Sequence, residues 1–169
     1  MSKQIRMKIK STRFEMPELL FAQAVSEMAE DMPEIKITEE MLSAAEGDEM
    51  EINTDGTLSY NDGRVEFSYD ESEITGMEGS TTAVHFDLDN PGFVTIYRSG
   101  TVSTTLAFER GKRHHCAYNT PIMPFEICVR TIKVENNILE DGTLRLDYVI
   151  EIRGAKAERT KFELKVIDL

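Results

Sequence analysis

Apolar residues recur at every second position along most of this chain. Leu58 and Tyr60 lead through Asn61-Asp62-Gly63 into Val65, Phe67 and Tyr69, which predicts two short strands around a tight turn with Gly63 supplying a positive φ. The alternation returns in Val84, Phe86 and Leu88, then after Asp89-Asn90-Pro91-Gly92 in Phe93, Thr95 and Tyr97, and after Ser99-Gly100 in Val102, Thr104, Leu106 and Phe108. Each break carries recognisable turn chemistry: Gly for left-handed backbone, Pro for a fixed φ, Asn and Asp for local side-chain hydrogen bonds. His114, Cys116 and Tyr118 make a further half-strand and Phe125, Ile127 and Val129 the next, after which the apolar parity slips to Ile132 and Val134. A β-bulge near Arg130-Thr131 accounts for that slip. The last two strands are the clearest, with Leu144, Leu146, Tyr148, Ile150 and Ile152 on one face, then Phe162, Leu164 and Val166 alternating with Lys161, Glu163 and Lys165. At the other end of the chain Ile5, Met7 and Ile9 alternate with Arg6, Lys8 and Lys10, again a strand with one wet face.

The exception lies between Met16 and Gly47. Pro17 can open a helix, and Phe21, Val25, Met28 and Met32 follow with the period of a helical stripe until Pro33 ends it. A second, shorter helix would take Thr38 as its cap, Glu39 and Glu40 in its first turn and Gly47 at its end. No linker sets this excursion, residues 17–47, apart from the rest, so residues 1–169 read as a single domain. The fold expected is all-β: one antiparallel β-barrel of about 8–10 strands with a helical insertion between the first two, a two-sheet sandwich being the alternative. Closure is favoured because short turns join most neighbours and a closed sheet leaves no aggregation-prone edge. Candidate interior or rim aromatics are Tyr60, Phe67, Tyr69, Phe86, Phe93, Tyr97, Phe108, Tyr118 and Phe125. Whether they fill the lumen or line a cavity is the functional question.

Composition narrows the partners. The 169 residues hold 31 Asp plus Glu against 19 Lys plus Arg, a formal net charge of -12. A chain of this length buries roughly 70% of its unfolded surface, enough for a core without metal or disulfide staples. With 40% apolar and 30% charged residues it reads as globular and not as disordered or fibrous. A phosphate backbone would be repelled unless the few cations were gathered in one patch, so nucleic acid is not an expected partner. Cations gather only at the first strand and in the string RGKRHH, residues 110–115, which could hold an anion at a barrel mouth but reads more simply as a solvated hairpin end. There is no signal-peptide order of segments and no long apolar run, so a cytoplasmic protein without a membrane partner is expected. Cys116 and Cys128 flank Pro121 and Pro124; they read as small buried hydrophobes, with a hairpin disulfide as the alternative.

Little in the chain carries chemistry by itself. His114 and His115 are adjacent and point to opposite faces of a strand, so no metal site and no cofactor is expected. Carboxylates spaced by two or four, as in Glu66 with Asp70, Asp87 with Asp89 and Asp147 with Glu151, are the expected wet face of strands in an acidic chain. No G-x-S-x-G and no glycine-rich phosphate cradle is present, and no catalytic residue is assigned. Arg98 stands out: if Phe93, Thr95 and Tyr97 form the apolar face, it lies on the other face at the strand end, placed to pair with a carboxylate or to bind a ligand.

Several strings together resemble a known family. IRMKIKS, DGRVEFSYDE, IYRSG with Arg98 and Gly100, AYNTP followed by FEICVRT, and DGTLRLDYVIEI are similar in kind and order to the bacterial family called domain of unknown function 1934. The likeness is strongest from Gly56 to Asp168 and implies a calycin or lipocalin-like β-barrel; it assigns no activity. The helical segment then reads as an enlarged connection. The functional expectation is a non-catalytic barrel, monomer or homodimer, that binds a small apolar or amphipathic molecule or a peptide. Its ligand would be lined by Tyr60, Phe67, Tyr69, Tyr97, Phe108 and Tyr118 with Arg98 as polar anchor. A structural or protein-interaction module with a filled core is the alternative, and an enzyme a further one.

Overall fold

The computed structural model describes residues 1–15, 47–71, 78–101, 103–119, 124–152 and 157–168. Ten strands run through them: β1 (Ser2–Glu15), β2 (Gly47–Asn61), β3 (Arg64–Asp70), β4 (Thr81–Asp87), β5 (Asn90–Ser99), β6 (Ser103–Glu109), β7 (Arg113–Asn119), β8 (Pro124–Asn137), β9 (Thr143–Ile152) and β10 (Ala157–Asp168). A four-residue helix, α1 (Ile138–Asp141), joins β8 to β9. Each strand pairs antiparallel with its chain neighbours, and β1 pairs with β10, so the sheet closes into a barrel and the sandwich alternative is set aside. The expected helices fall within residues 16–46, outside the described residues, and Gly47, expected as a helix end, is the first residue of β2.

Local chemistry explains the joints. Asp62 (φ 49°) and Gly63 (φ 81°) are both left-handed, the backbone of a two-residue hairpin whose twist suits the flanking strands. The β8–β9 connection ends on Gly142 at φ 76°, whose N–H donates to the Ile138 carbonyl, so the Asp141-Gly142 turn is the capped end of α1. The parity slip in β8 is a register shift between Thr131 and Lys133, one residue beyond the expected position. Thr131 fixes it: its carbonyl accepts from Gly111 N–H, its N–H donates to the Lys112 carbonyl, and its hydroxyl accepts from Glu109 N–H.

The core is the barrel lumen. Met7, Phe67, Val84, Phe86, Val94, Ile96, Leu106, Phe108, Val129, Leu144, Leu146 and Leu164 are all but inaccessible, so the apolar part of the lumen is filled by side chains. Gly56 makes room for this packing: a Cβ there would lie 2.3 Å from Met7 Cε and 2.5 Å from the Ser68 carbonyl oxygen. Outside, Arg6, Lys8 and Lys10 of β1 meet Asp55, Glu51 and Glu49 of β2 in exposed ion pairs, the wet face expected of that strand.

Two expectations about faces are corrected. In β5 the inward face is Val94, Ile96 and Arg98, whereas Tyr97 is exposed outside against His85 and Phe93 packs edge-on to His114. Both faces of β5 carry apolar residues, and the β-branched pair, not the aromatic pair, fits the crowded lumen. The cysteines do not form a hairpin bridge: Cys116 pairs in register with Ile127 and Cys128 with His115, and both thiols are free. Cys116 belongs to the lumen core and Cys128 does not, so the two lie on opposite faces.

Candidate functional site

The inward faces change character along the barrel axis. On β3 the sequence Val65, Phe67, Tyr69 passes to Glu71 just beyond the strand. On β4 Phe86 and Val84 pass to Thr82 and Ser80, on β5 Val94 and Ile96 to Arg98, and on β6 Phe108 and Leu106 to Thr104. On β9 Leu144 and Leu146 pass to Tyr148, and on β10 Leu164 and Phe162 to Thr160. Register carries this polar layer from strand to strand: Tyr69 pairs with Thr82, Thr82 with Arg98, Arg98 with Thr104, and Tyr148 with Thr160. One end of the lumen is therefore polar and buried while the rest is packed hydrocarbon. It is the end at which β1, β3, β5, β7 and β9 finish.

Glu71 and Arg98 form the centre of this layer. Arg98 Nε lies 3.8 Å from Glu71 Oε1, with the carboxylate side chain only 1% exposed and the guanidinium side chain 14%. Thr82 donates its hydroxyl to the same Oε1 at 2.5 Å, and Glu71 N–H donates to the Ser80 carbonyl at 2.8 Å. Among the described residues Glu71 Oε2 and Arg98 Nε have no hydrogen-bond partner. Buried polar atoms without partners are uncommon because each forfeits its hydration, and Arg113 Nε and Glu151 Oε1 on the outer wall are a second pair left open in this way. Burial above all, and then the negative charge of Glu71, push the Tyr69 phenol well above its ordinary range. Burial likewise raises Tyr148, against the nearby charge of Arg98. Both phenols are thereby held protonated and able to donate. Gly100 (φ 123°) locks the β5–β6 end against this layer, since a Cβ there would sit 2.3 Å from the Gly79 carbonyl oxygen and 2.9 Å from Ser80 Cα.

The residues singled out from sequence separate into three groups. Arg98 and Tyr69 come together in the polar layer, and Phe67 and Phe108 are part of the packed lumen, Phe108 against Tyr148 at 4.6 Å between ring centres. Tyr60 stands at the opposite rim, 50% exposed, and Tyr97 is 41% exposed on the outer wall, so neither reaches Arg98's layer. Tyr118 pairs in register with Thr104; its side chain is outside the described set. Sequence reading missed Glu71. Its one signal was parity, as the fourth member of the series Val65, Phe67, Tyr69, Glu71, hidden by the abundance of carboxylates elsewhere.

A second group of charges sits on the outer wall at the same end. Glu151 pairs in register with Cys128, and Cys128 with His115, while Arg113 reaches Glu151 at 3.7 Å. Glu151 is buried, which corrects the expectation that Asp147 and Glu151 form a solvated face. Burial raises its carboxyl, against the opposing charges of Arg113, Arg130 and His115. Burial also raises the Cys128 thiol, so it is not an activated nucleophile. His115 is exposed, in keeping with a solvated hairpin end for part of the RGKRHH string, but Arg113 is mostly buried. A groove of about 330 Å³ on the outer wall runs over Lys10, Lys133, Arg145 and Lys161. Most of its charges are held in ion pairs, Arg145 with Glu163 at 2.7 Å, Lys133 with Glu135, Lys10 with Glu49 and Asp147 with Arg159. That groove lies on the charged, exposed outer wall, unlike the desolvated layer inside. Among the described residues no three His, Cys, Asp or Glu side chains gather as a metal-binding group.

The fold and the polar layer define a closed antiparallel β-barrel with a packed lumen and one polar end. The chain belongs to the family described as Domain of unknown function (DUF1934), which matches residues 35–164. A solved structure, the crystal structure of ywiB protein from Bacillus subtilis, is similar over 96% of this chain and 92% of that one, with a TM-score of 0.60 and 13% sequence identity, a likeness of fold. No curated protein matches this chain.

Proposed function

We propose that this protein is a non-catalytic binding barrel whose ligand, a small molecule with a polar head, docks at the polar end of the lumen on Arg98 and Glu71. The observation that carries the reading is a buried pair of open hydrogen-bonding atoms inside the lumen, Arg98 Nε and Glu71 Oε2, in a layer where Thr82 donates to Glu71 Oε1 and Thr104 to the Ala117 carbonyl. A closed barrel is compatible with this role, and the packed hydrocarbon below the layer restricts the ligand to the polar end. Tyr69, hydrogen-bonded with Glu71 and Thr82, and Tyr148, hydrogen-bonded with Thr160, pack the same layer around the pair. The filled lumen also favours a second reading, a structural or interaction module in which the pair serves only to close the barrel.

Titration with the neutral fluorescent probe N-phenyl-1-naphthylamine separates the two. The binding reading expects one saturable site per chain with a dissociation constant of about 1–10 µM, weakened at least about tenfold by Glu71→Gln/Arg98→Met, which removes both charges together. Near-ultraviolet circular dichroism checks that this variant is folded. The absence of saturable binding to the wild-type chain, or binding indifferent to the variant, would leave the module reading in its place.

A further inference from the structure

Taking the polar end as a binding site, the chemistry of its two open atoms limits what can fill it. Glu71 Oε2 only accepts hydrogen bonds, and Arg98 Nε only donates them. Their parent groups lie 3.8 Å apart with the carboxylate almost wholly buried. The pair is internally neutral, so a ligand entering it gains little from a net charge of its own. An anionic head would satisfy Arg98 but turn a second negative oxygen toward Glu71, and a cationic head would satisfy Glu71 but turn its donors on Arg98. In a desolvated setting either mismatch is costly. A carboxamide avoids both, because one carbon carries an acceptor oxygen and a donor N–H at adjacent positions, the same two-point pattern that side-chain amides use against a paired donor and acceptor.

We propose that the polar end of the barrel recognises a neutral amide edge, its C=O accepting from Arg98 and its N–H donating to Glu71, and discriminates against carboxylates and cationic amidines of the same shape. The site class is that of a primary carboxamide or a lactam.

Three isosteric planar compounds test it by displacement of N-phenyl-1-naphthylamine from the wild-type chain: benzamide, benzoate and benzamidine. Benzamide is expected to displace the probe at a concentration at least about fivefold lower than either charged analogue, the effect of one satisfied hydrogen bond. Glu71→Gln is expected to shift the order toward benzoate by about fivefold or more, since the repelling carboxylate is gone. If the probe binds but benzoate or benzamidine competes as well as benzamide, or none of the three competes, the amide assignment is overturned while the binding reading stands. If the probe does not bind at all, both fall.

Discussion

Arg159 and Arg145 both project from the outer wall beside a carboxylate, and their surroundings give the two pairs different weight. Arg159 meets Asp147 through two bonds, Nε to Oδ1 at 2.8 Å and Nη2 to Oδ2 at 2.5 Å, with its side chain 6% exposed. Arg145 meets Glu163 at 2.7 Å but is 51% exposed. Removing one partner of a buried pair strands a charge, whereas an exposed pair is largely replaced by water. Asp147→Asn is therefore expected to lower stability by about 3 kcal/mol and Glu163→Gln by less than about 1 kcal/mol, read from urea unfolding. Glu151 gives a pH test. Its folded carboxyl is raised above 4.5, so its proton binds more tightly in the folded chain, and that contribution is full below 4.5 and is lost as pH rises through the folded value. Wild type should gain stability relative to Glu151→Gln on acidification from neutral pH toward 4.5; a difference flat in pH would show the carboxyl to be unperturbed. Gly56→Ala should cost about 1–3 kcal/mol, because the Ser68 backbone oxygen at 2.5 Å cannot give way as Met7 can.

At the scale of elements, the weakest joint of the barrel is between β6 and β7. Their ladder has two residue pairs, Ser103 with Asn119 and Thr104 with Tyr118, against thirteen between β1 and β2. Side chains stand in for the missing ladder: Thr104 donates its hydroxyl to the Ala117 carbonyl at 2.8 Å, and the Cys116 thiol lies against the Ala107 backbone. In native-state hydrogen exchange, amides of Thr105 to Glu109 that face β7 should exchange by local opening faster than those facing β5, which are held by a regular ladder. Equal protection on both sides would count against an open seam. The alternation of apolar residues predicted the strands, and the break in that alternation predicted the β8 bulge to within one residue. It did not predict which face of β5 turns inward, because Phe93 and Tyr97 compete with Val94 and Ile96 on hydrophobicity alone. Only the volume left by Phe86 and Phe108 on the neighbouring strands chooses between them.

For the whole molecule, the surplus of acid is unevenly placed along the chain: residues 16–46, outside the described residues, hold eight Asp plus Glu against one Lys, net -7 of the -12. The net charge of -12 is interrupted on β1 by three cations that pair with acids on β2, and the sequence isoelectric point is about 4.7. Solubility should pass through a minimum near pH 4.7, and moderate salt at neutral pH should stabilise the fold by screening mutual repulsion more than it weakens exposed pairs. A melting temperature that falls with added salt would show that the surface pairs outweigh the repulsion. The sequence by itself determined the strands and their turns and favoured a closed barrel over a sandwich, since these follow from residue periodicity and from short connections between chain neighbours; the β1–β10 ladder that closes the barrel is tertiary. The tertiary structure alone decided where chemistry sits. Glu71 and Arg98 are 27 positions apart and meet only because register across β3, β4 and β5 brings them to the same height, and their isolation from water depends on the neighbouring strands packed around them. Burial and register are sums over many strands, and no local pattern carries them.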